Sequence, residues 1–396
     1  MKRLLIGYLP VLLLLFCVNS ADIGIGNISE SVSNIAVILD ASTCYDENFL
    51  EDVLNGFDAI NQTYNISYNV FRLSNYKVTN RTHYRATYEY YNSTSNDTII
   101  TNHTQLARIL IESNKFDLIA FIGYELRQIG NSETPLTELY PDMKFLFYDL
   151  AGVVSSDGED DKRNNVFRVS FLEEEVGYIA GILATETITP FPSQISAVGI
   201  KPKWFRGEPR SNKLIAGFQA GILRQIAETK IDISYIGYYT NYTEAKTLGT
   251  RLESDGYELA FAALQNENTL GILDGFLNNV ITVDSNRSLI TGNRPFGSIV
   301  KNNTKTLLTT FEILNQSATF GGSLEFGFQD GVFYPDGWGN DASIDNAMEQ
   351  IYQDLVVDKI SLPNDIIDAQ NTPGFEIITG FNILLLLSII VRKRRE

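Results

Sequence analysis

Hydrophobic and polar positions alternate in blocks along most of the chain. The first clear block is an apolar, β-branched run over residues 35–40 that ends at an acid and is followed by a polar loop. Apolar residues then recur at helical spacing over residues 49–57. A buried strand, a loop and an amphipathic helix in this order predict the start of a βαβ unit. Because ligands bind beyond the carboxyl ends of strands in open α/β sheets, Asp40, Asp46 and Phe49 are candidate ligand-binding residues.

The same alternation continues downstream. The predicted strands cover residues 116–122, 144–148, 166–169, 195–200, 233–238, 259–263 and 280–284. The predicted helices cover residues 106–111, 136–140, 173–184, 212–228, 244–254 and 270–277. Strands that alternate with helices indicate parallel sheets with right-handed crossovers. Two such series in succession predict an α/β fold of two lobes with a cleft between them.

The length of 396 residues also favours two domains with appendages. The Gly- and Asp-rich segment 152–165 is a candidate crossing between the lobes. The predicted first lobe consists of residues 34–151 and 285–318 and contains a polar insertion at about 72–103. The predicted second lobe consists of residues 152–284 and 319–362. Residues 363–373 are predicted to be a linker.

The amino terminus predicts secretion. Two basic residues precede an apolar run over residues 4–18, and small residues follow, which is the pattern of a signal peptide over residues 1–21. Lipoprotein anchoring at Cys17 is an alternative, although a bulky residue precedes this cysteine. Cleavage would leave Cys44 as the only cysteine, so no internal disulfide is expected, and a lone cysteine here is more often a small buried hydrophobe than a nucleophile.

The carboxyl terminus predicts attachment to a membrane. Residues 374–396 contain an apolar stretch followed by a run of basic residues at 392–395. A spanning helix with a cytoplasmic basic tail is one interpretation. The alternative is a sorting tag of the kind found on archaeal surface proteins, in which the tail is replaced by a lipid. Either would hold the protein on the extracellular side of the plasma membrane, whereas a buried helix does not explain the basic run.

Acceptor triplets for N-glycosylation support an extracellular location. They begin at Asn27, Asn61, Asn65, Asn80, Asn92, Asn96, Asn102, Asn241, Asn286, Asn302 and Asn315. The dense group over residues 61–102 lies in a Tyr-, Asn- and Thr-rich stretch with little helical or strand periodicity. This stretch predicts a solvent-exposed insertion, and a plain polar loop without sugars is the alternative.

Charge and residue types argue against several functions. The net charge of −17, with basic clusters only at the ends, disfavours nucleic acid. Both histidines, His83 and His103, fall in the predicted insertion, so no buried histidine base or histidine metal site is expected. Phosphate-loop and nucleophile-elbow motifs are absent from the sequence. A retaining glycosidase remains open because acids are abundant, but the sequence favours a binding protein without catalytic residues, metal or cofactor.

Short motifs in a characteristic order resemble the basic membrane protein family of substrate-binding proteins, whose best-understood members are purine nucleoside receptors serving ABC importers. The resemblance spans about residues 35–334. Its motifs are Asp40-x5-Asp46-x2-Phe49, 116–124, 141–145, 165–181, Lys213-x3-Gly217-Phe218-x2-Gly221, 283–285, 298–301, Gly321-Gly322 and Phe328-x-Asp330-Gly331.

The resemblance implies a type I periplasmic-binding-protein fold that closes on its ligand. In the family, an aromatic side chain from each lobe sandwiches the base, polar groups hold the base edge, and an aspartate and a lysine bind the ribose. Carried over by position, Phe49 and Tyr124 would be aromatic contacts, Asp46 a base-edge or loop-fixing group, and Asp284 and Lys301 the ribose ligands.

Departures from the family pattern weaken the nucleoside assignment. Polar residues replace glycines and an acid within 42–45, and residues 264–268 replace a Gly-rich loop after Phe261, itself a candidate contact. The unusually long segment 201–209 supplies Trp204 as a further candidate aromatic. The sequence therefore predicts a tethered extracellular solute-binding protein that delivers a flat heteroaromatic ligand, foremost a purine nucleoside, to ABC permease subunits. The alternative is a surface sensor that signals through a separate membrane subunit.

Overall fold

The computed structural model describes residues 31–39, 47–71, 103–123, 126, 136–149, 163–200, 209–237, 241–264, 266–284, 296–317, 319–338 and 341–365. The predicted signal peptide, most of the polar insertion and the predicted membrane anchor lie outside these ranges. Within them, no helix combines the length and the hydrophobicity that crossing a bilayer requires.

Strands and helices alternate through these residues. The strands are β1 (Asn34–Leu39), β2 (Ser67–Phe71), β3 (Leu118–Ile122), β4 (Lys144–Tyr148), β5 (Val166–Phe171), β6 (Ile195–Ile200), β7 (Ile231–Ile236), β8 (Leu259–Ala262), β9 (Asn279–Asp284), β10 (Gly297–Lys301), β11 (Gly322–Phe326) and β12 (Phe333–Asp336). The helices are α1 (Glu47–Tyr64), α2 (His103–Glu112), α3 (Leu136–Leu139), α4 (Glu173–Thr187), α5 (Pro209–Gln225), α6 (Tyr242–Ser254), α7 (Asn266–Gly275), α8 (Asn303–Gln316) and α9 (Asp341–Tyr352). A 3-10 turn (Phe328–Asp330) and a π-helical turn (Gln353–Val357) complete the described elements.

The strands form two six-stranded sheets, which confirms the predicted α/β class. The first sheet is entirely parallel, in the order β11-β5-β4-β3-β1-β2. The second has the order β12-β10-β9-β8-β6-β7, with only β12 antiparallel. Central strands such as β3 and β8 are buried at every position, because helices cover both faces of a parallel sheet. Strand order reverses beside β1 in one sheet and beside β6 in the other, and such points are where open α/β sheets bind ligands.

Three connections carry the chain between the sheets. They run from β5 through α4 to β6, from β10 through α8 to β11, and from β11 to β12. The crossings pack together through aromatic rings: the ring centroid of Phe171 lies 6.3 Å from that of Phe326 and 6.0 Å from that of Phe333. The sheets are therefore joined by a shared apolar core at the crossings, which sets how their strand ends face each other.

Helices α4 and α5 pack at backbone distance. A Cβ atom at Gly217 would lie 1.9 Å from the carbonyl oxygen of Glu174, and one at Gly177 would lie 2.0 Å from that of Leu214. No side chain fits in those gaps, so glycine is required for this approach. The close contact holds the first turns of the two helices side by side, which matters because both turns carry charged residues of the candidate site.

The sheets correct the predicted lobe boundaries at three strands. The prediction assigned β5 and β11 to the second lobe and β10 to the first, but β5 and β11 belong to the first sheet and β10 to the second. In each case the chain completes its strand before it crosses. The crossing expected at 152–165 follows β5 instead of preceding it, because β5 first pairs with β4.

Two features of the polar region also differ from expectation. Helix α1 continues to Tyr64 and β2 follows it, although residues 61–102 show little regular periodicity. As an edge strand with a single partner, β2 buries only Phe71 fully, so its sequence lacks a strong apolar signal. His103 is the first residue of α2 and is not part of an irregular insertion, and its burial lowers its pKa to about 4.

Candidate ligand-binding site

Charged residues lie at the carboxyl ends of strands in both sheets. Asp149 follows β4 of the first sheet, while Asp284 ends β9 and Lys301 ends β10 of the second. All three are buried. Asp149 and Asp284 have left-handed backbone conformations, with φ of 60° and 77°, a region in which aspartate is one of the better-tolerated residues. The strand ends thus bring a charge from each lobe to one place.

Lys301 is the centre of this group. Its Nζ atom lies 2.6 Å from Glu173 Oε1, 3.2 Å from Asp149 Oδ1 and 3.2 Å from Asp284 Oδ1. It also lies 4.4 Å from the ring centroid of Phe171, close enough for a cation–π contact. The side chain has no solvent exposure, so the three carboxylates take the place of water around its charge.

Arg210 is the second cation. Its Nε donates to Glu173 Oε1 at 2.8 Å, and its Nη2 donates to Asp284 Oδ1. Arg210 lies in the first turn of α5, and Glu173 is the first residue of α4. We call Asp149, Glu173, Arg210, Asp284 and Lys301 the charge cluster. Three carboxylates and two cations leave it one negative charge in excess when all five are ionised.

The pKa values within the cluster shift in different directions. Burial is the largest influence on Asp149 and outweighs the pull of Lys301 and Arg210, so its pKa is raised to about 6. Burial also acts to raise the pKa of Asp284, but Arg210 and Lys301 lower it further, to about 2. Burial and Arg210 act to lower the pKa of Lys301, yet the three carboxylates outweigh both and the net pKa is raised.

Aromatic side chains lie beside the charge cluster. Tyr148 and Phe171 make an edge-to-face contact with ring centroids 5.9 Å apart. The Tyr148 hydroxyl donates to Asn303 Oδ1 at 2.8 Å, in the first turn of α8. Asp52 on α1 accepts from the Thr304 hydroxyl at 2.7 Å, so α8 is attached to the first lobe just after Lys301. These contacts fix the crossing that places Lys301.

The sequence-predicted site residues divide into three groups. Asp284 and Lys301 lie together, 3.2 Å apart, and their ligand role stays a prediction. Phe49 lies in the first turn of α1, is 6% exposed and packs in the core that joins the lobes. Phe261 is fully buried in β8 and stacked on Phe218 with ring centroids 4.3 Å apart, so it packs in the core, and its ligand role stays a prediction. The remaining candidates, Asp40, Asp46, Tyr124 and Trp204, lie outside the described residues.

Three members of the cluster were missed by sequence reasoning. Asp149 follows a correctly predicted strand, the same signal that selected Asp40, so it could have been found. Glu173 lies within a matched motif, but an acid in the first turn of a helix is usually solvated and favourable for the helix dipole. Arg210 has no local signal, because its burial depends on carboxylates from distant parts of the chain.

Two α/β lobes joined by three crossings, with charged groups at the facing strand ends, define a protein of the periplasmic-binding-protein-like class. A family model described as "ABC transporter substrate-binding protein PnrA-like" matches residues 32–367. The chain belongs to this family. No curated protein sequence matches it.

Solved structures share the fold at low sequence identity. An ABC transporter solute-binding protein from Aeropyrum pernix K1 has 14% identity and a TM-score of 0.59, covering 85% of this chain and 95% of that one. A solute-binding protein from Conexibacter woesei has 14% identity and a TM-score of 0.54, covering 84% and 98%. A transcriptional activator of the comK gene from Bacillus halodurans has 14% identity and a TM-score of 0.58, covering 83% and 99%. At this identity, the likeness shows the fold alone.

Family membership gives the broad role. The chain is a substrate-binding protein of an ABC transporter, which implies a small-molecule ligand and permease partners. A protein of this kind binds and releases its substrate without converting it, so its site must offer recognition and a means of closing.

Proposed function

We propose that this protein captures a purine nucleoside between its lobes at the outer face of a membrane and delivers it to an ABC importer. The observation that carries the proposal is the buried Asp284–Lys301 pair at neighbouring strand ends, 3.2 Å apart. A carboxylate accepts hydrogen bonds from vicinal hydroxyls, and an ammonium group donates to the same oxygens, so the pair suits a ribose.

Other candidate residues would hold the base. Phe49 and Tyr124 from the first lobe, and Trp204 from the second, are the aromatic candidates, and Asp40 and Asp46 would bind the base edge. Stacking of a base on an aromatic ring contributes roughly 1–3 kcal/mol. These roles rest on the family resemblance and on the aromatic and acidic residue types at those positions.

Closing of the lobes would accompany binding. The contact between Asp149 and Lys301, 3.2 Å long, joins the strand ends of the two sheets. A hinge at the three crossings would separate these residues in an open form and allow the ligand to enter. The proposed attachment uses the carboxyl-terminal segment 374–396 after removal of the signal peptide 1–21, and it would keep the protein near its permease.

The nucleoside assignment is tested by thermal unfolding of the purified full-length protein with a panel of nucleosides, sugars and amino acids. A ligand that binds the native state raises its stability, by about 2.7 kcal/mol at a hundredfold excess over Kd. We expect purine nucleosides to give the largest rise in Tm. A rise with sugars or amino acids and none with nucleosides would refute the ligand class, and mass spectrometry of any co-purifying small molecule gives an independent identification.

The site assignment is tested by substitution. Phe49→Ala and Asp284→Ala should each weaken nucleoside binding while the far-ultraviolet circular dichroism stays that of the wild type. Unchanged affinity in both variants would remove the assignment, even if the wild type binds nucleosides.

A further inference from the structure

Glu173, like Asp284, contacts both cations of the charge cluster through a single oxygen. Its Oε1 accepts from Lys301 Nζ at 2.6 Å and from Arg210 Nε at 2.8 Å. The residue is only 3% exposed. Both cations therefore fix the orientation of the carboxylate, and the second oxygen has a defined direction and little freedom to seek water.

The second oxygen has no hydrogen-bond donor. Glu173 Oε2 is buried, and within the described residues nothing donates to it. A buried acceptor without a partner destabilises a folded protein, and such groups in native structures call for an explanation. Here the group lies beside Lys301, at the junction of the two lobes. A donor that arrives with a ligand would satisfy it.

We propose that Glu173 is a further ligand-binding residue, whose Oε2 accepts a hydrogen bond from a hydroxyl group of the bound nucleoside's ribose. The inference rests on the proposed function, which assigns Asp284 and Lys301 to the ribose. Glu173 Oε1 lies 2.6 Å from Lys301 Nζ, so its partner oxygen is within reach of a sugar held by that lysine. The sugar would then be bound by two carboxylates instead of one.

The proposal narrows the substrate class. Apart from the Lys301 ammonium group, which the proposed function assigns to the ribose, the groups that surround this site are three carboxylates, so the cluster offers acceptors to a ligand more readily than donors. Its carboxylates also exceed its cations by one. A phosphate group would meet like charge and find few free donors, whereas a hydroxyl supplies the missing donor without adding charge. The site is therefore built for an uncharged nucleoside and against its phosphorylated form.

The experiment is calorimetric titration of the full-length protein with inosine, its 2′-, 3′- and 5′-deoxy analogues and inosine 5′-monophosphate. Wild type is compared with Glu173→Gln. In this variant the amide oxygen must stay with Lys301 and Arg210, so the NH2 group takes the place of Oε2 and cannot accept. The matched control is Glu174→Gln, the same change at the next residue, where the carboxylate pairs instead with Lys213 at 3.3 Å.

We expect the wild type and Glu174→Gln to bind one deoxy analogue about ten- to hundredfold more weakly than inosine, the usual loss for a hydrogen bond to a charged group. In Glu173→Gln that ratio should fall to about twofold or less. The ratio of the Kd for inosine 5′-monophosphate to the Kd for inosine should also fall in Glu173→Gln, because the substitution removes one negative charge from the site. Ratios that stay at the wild-type value for every analogue would overturn the proposal.

Additional measurements distinguish a variant that does not fold from a wild-type protein that binds no nucleoside. If circular dichroism shows that Glu173→Gln does not fold, Glu173→Asp is used instead. This variant retains the negative charge but places the carboxylate one methylene farther from the ligand. The ratios of the Kd values for the deoxy analogues to that for inosine then test the proposal in the same way. If the wild type binds no nucleoside, the proposed function fails, and the comparison is made with D-ribose and D-galactose against their 2-deoxy forms. A loss of discrimination there in Glu173→Gln still supports Glu173 as a hydroxyl acceptor. Absence of binding to every compound overturns both proposals.

Discussion

Each of the two sheets has a buried aspartate at its carboxyl edge, and the pKa values of these two aspartates shift in opposite directions. Asp149 on the first sheet and Asp284 on the second both end a parallel strand, both have left-handed φ angles, and both lie 3.2 Å from Lys301 Nζ. Burial raises the pKa of Asp149 to about 6, whereas Arg210 and Lys301 overcome burial at Asp284 and lower its pKa to about 2. The difference follows mainly from the electrostatic attraction of Arg210 for the Asp284 carboxylate, to which Arg210 also donates a hydrogen bond.

This comparison indicates how the site divides between the lobes. In the second lobe Asp284 contacts both Arg210 and Lys301, and Glu173 at the start of α4 supplies the carboxylate that balances the second cation. The first lobe contributes Asp149, whose ionised form is stabilised less than that of Asp284 and whose carboxylate contacts Lys301 of the second lobe. We therefore expect the second lobe to carry the fixed part of the site and Asp149 to be the contact that opens and closes.

Removal of Arg210 should have the largest effect on this asymmetry. Arg210→Ala leaves Asp284 and Glu173 buried with one cation instead of two, and breaking a buried pair on one side costs about 3–5 kcal/mol. Urea unfolding at pH 7.5 measures the loss. The control is Lys213→Ala, which breaks a partly exposed pair with Glu174 and should cost about 1 kcal/mol or less. Equal losses in the two variants would contradict the central role of Arg210.

Asp149→Asn should stabilise the protein at neutral pH. The folded state retains the proton of Asp149 up to about pH 6, while the unfolded chain releases it near 3.8, so this group lowers stability as pH rises between those values. Asparagine cannot ionise and also tolerates the left-handed backbone. The variant should gain about 3 kcal/mol on wild type between pH 3.5 and pH 7.5. Urea unfolding at both values measures this, and a pH-independent difference would show that Asp149 is not the strained acid.

Asp284→Asn should have the opposite sign and a smaller size. The pKa of Asp284 is lowered to about 2, so its ionised form contributes stability that is complete above about pH 4 and is lost as pH falls through 2. We expect the variant to be about 2 kcal/mol less stable than wild type at pH 7, with the gap closing towards pH 2. A gap that widens in acid would reverse the assignment of the two carboxylates.

Tyr148→Phe should have the smallest effect on the free energy of unfolding. It measures the contribution of an uncharged hydrogen bond beside the ion pairs of the cluster. It removes the 2.8 Å hydrogen bond to Asn303 but leaves every charge in place. We expect a loss of about 1–2 kcal/mol, the cost of an unsatisfied buried acceptor. The loss should be the same at pH 4 and pH 7. A pH-dependent loss would mean that the tyrosine hydroxyl, and not burial, governs the titration of Asp149.

Buried strands were the part of the fold that the sequence predicted best. β4 and β6 have the predicted bounds and β1 differs by one residue at each end, because strands covered on both faces are continuous apolar runs. The edge strands β2, β11 and β12 each have only one buried position over four or five residues and give no such signal. The lobe boundaries failed for a related reason: which sheet a strand joins depends on pairing that a local pattern does not contain.

The candidate site was predictable only in part. Asp284 and Lys301 were selected through the family resemblance and lie together. Phe261 was selected because it precedes the loop that departs from the family pattern, and the local sequence did not indicate that its ring would stack on Phe218 in the core. Glu173 and Arg210 read as ordinary residues in the first turns of helices, and only the close packing of α4 on α5 makes them neighbours.

The most direct test of the account is a crystal structure of the protein bound to inosine. We predict the nucleoside between the two lobes, with its ribose hydroxyls within hydrogen-bond distance of the Asp284 carboxylate and Lys301 Nζ, and with Asp149 on the opposite side of the same cavity. Inosine bound on an outer surface, or in the cleft with its ribose directed away from Asp284 and Lys301, would contradict it.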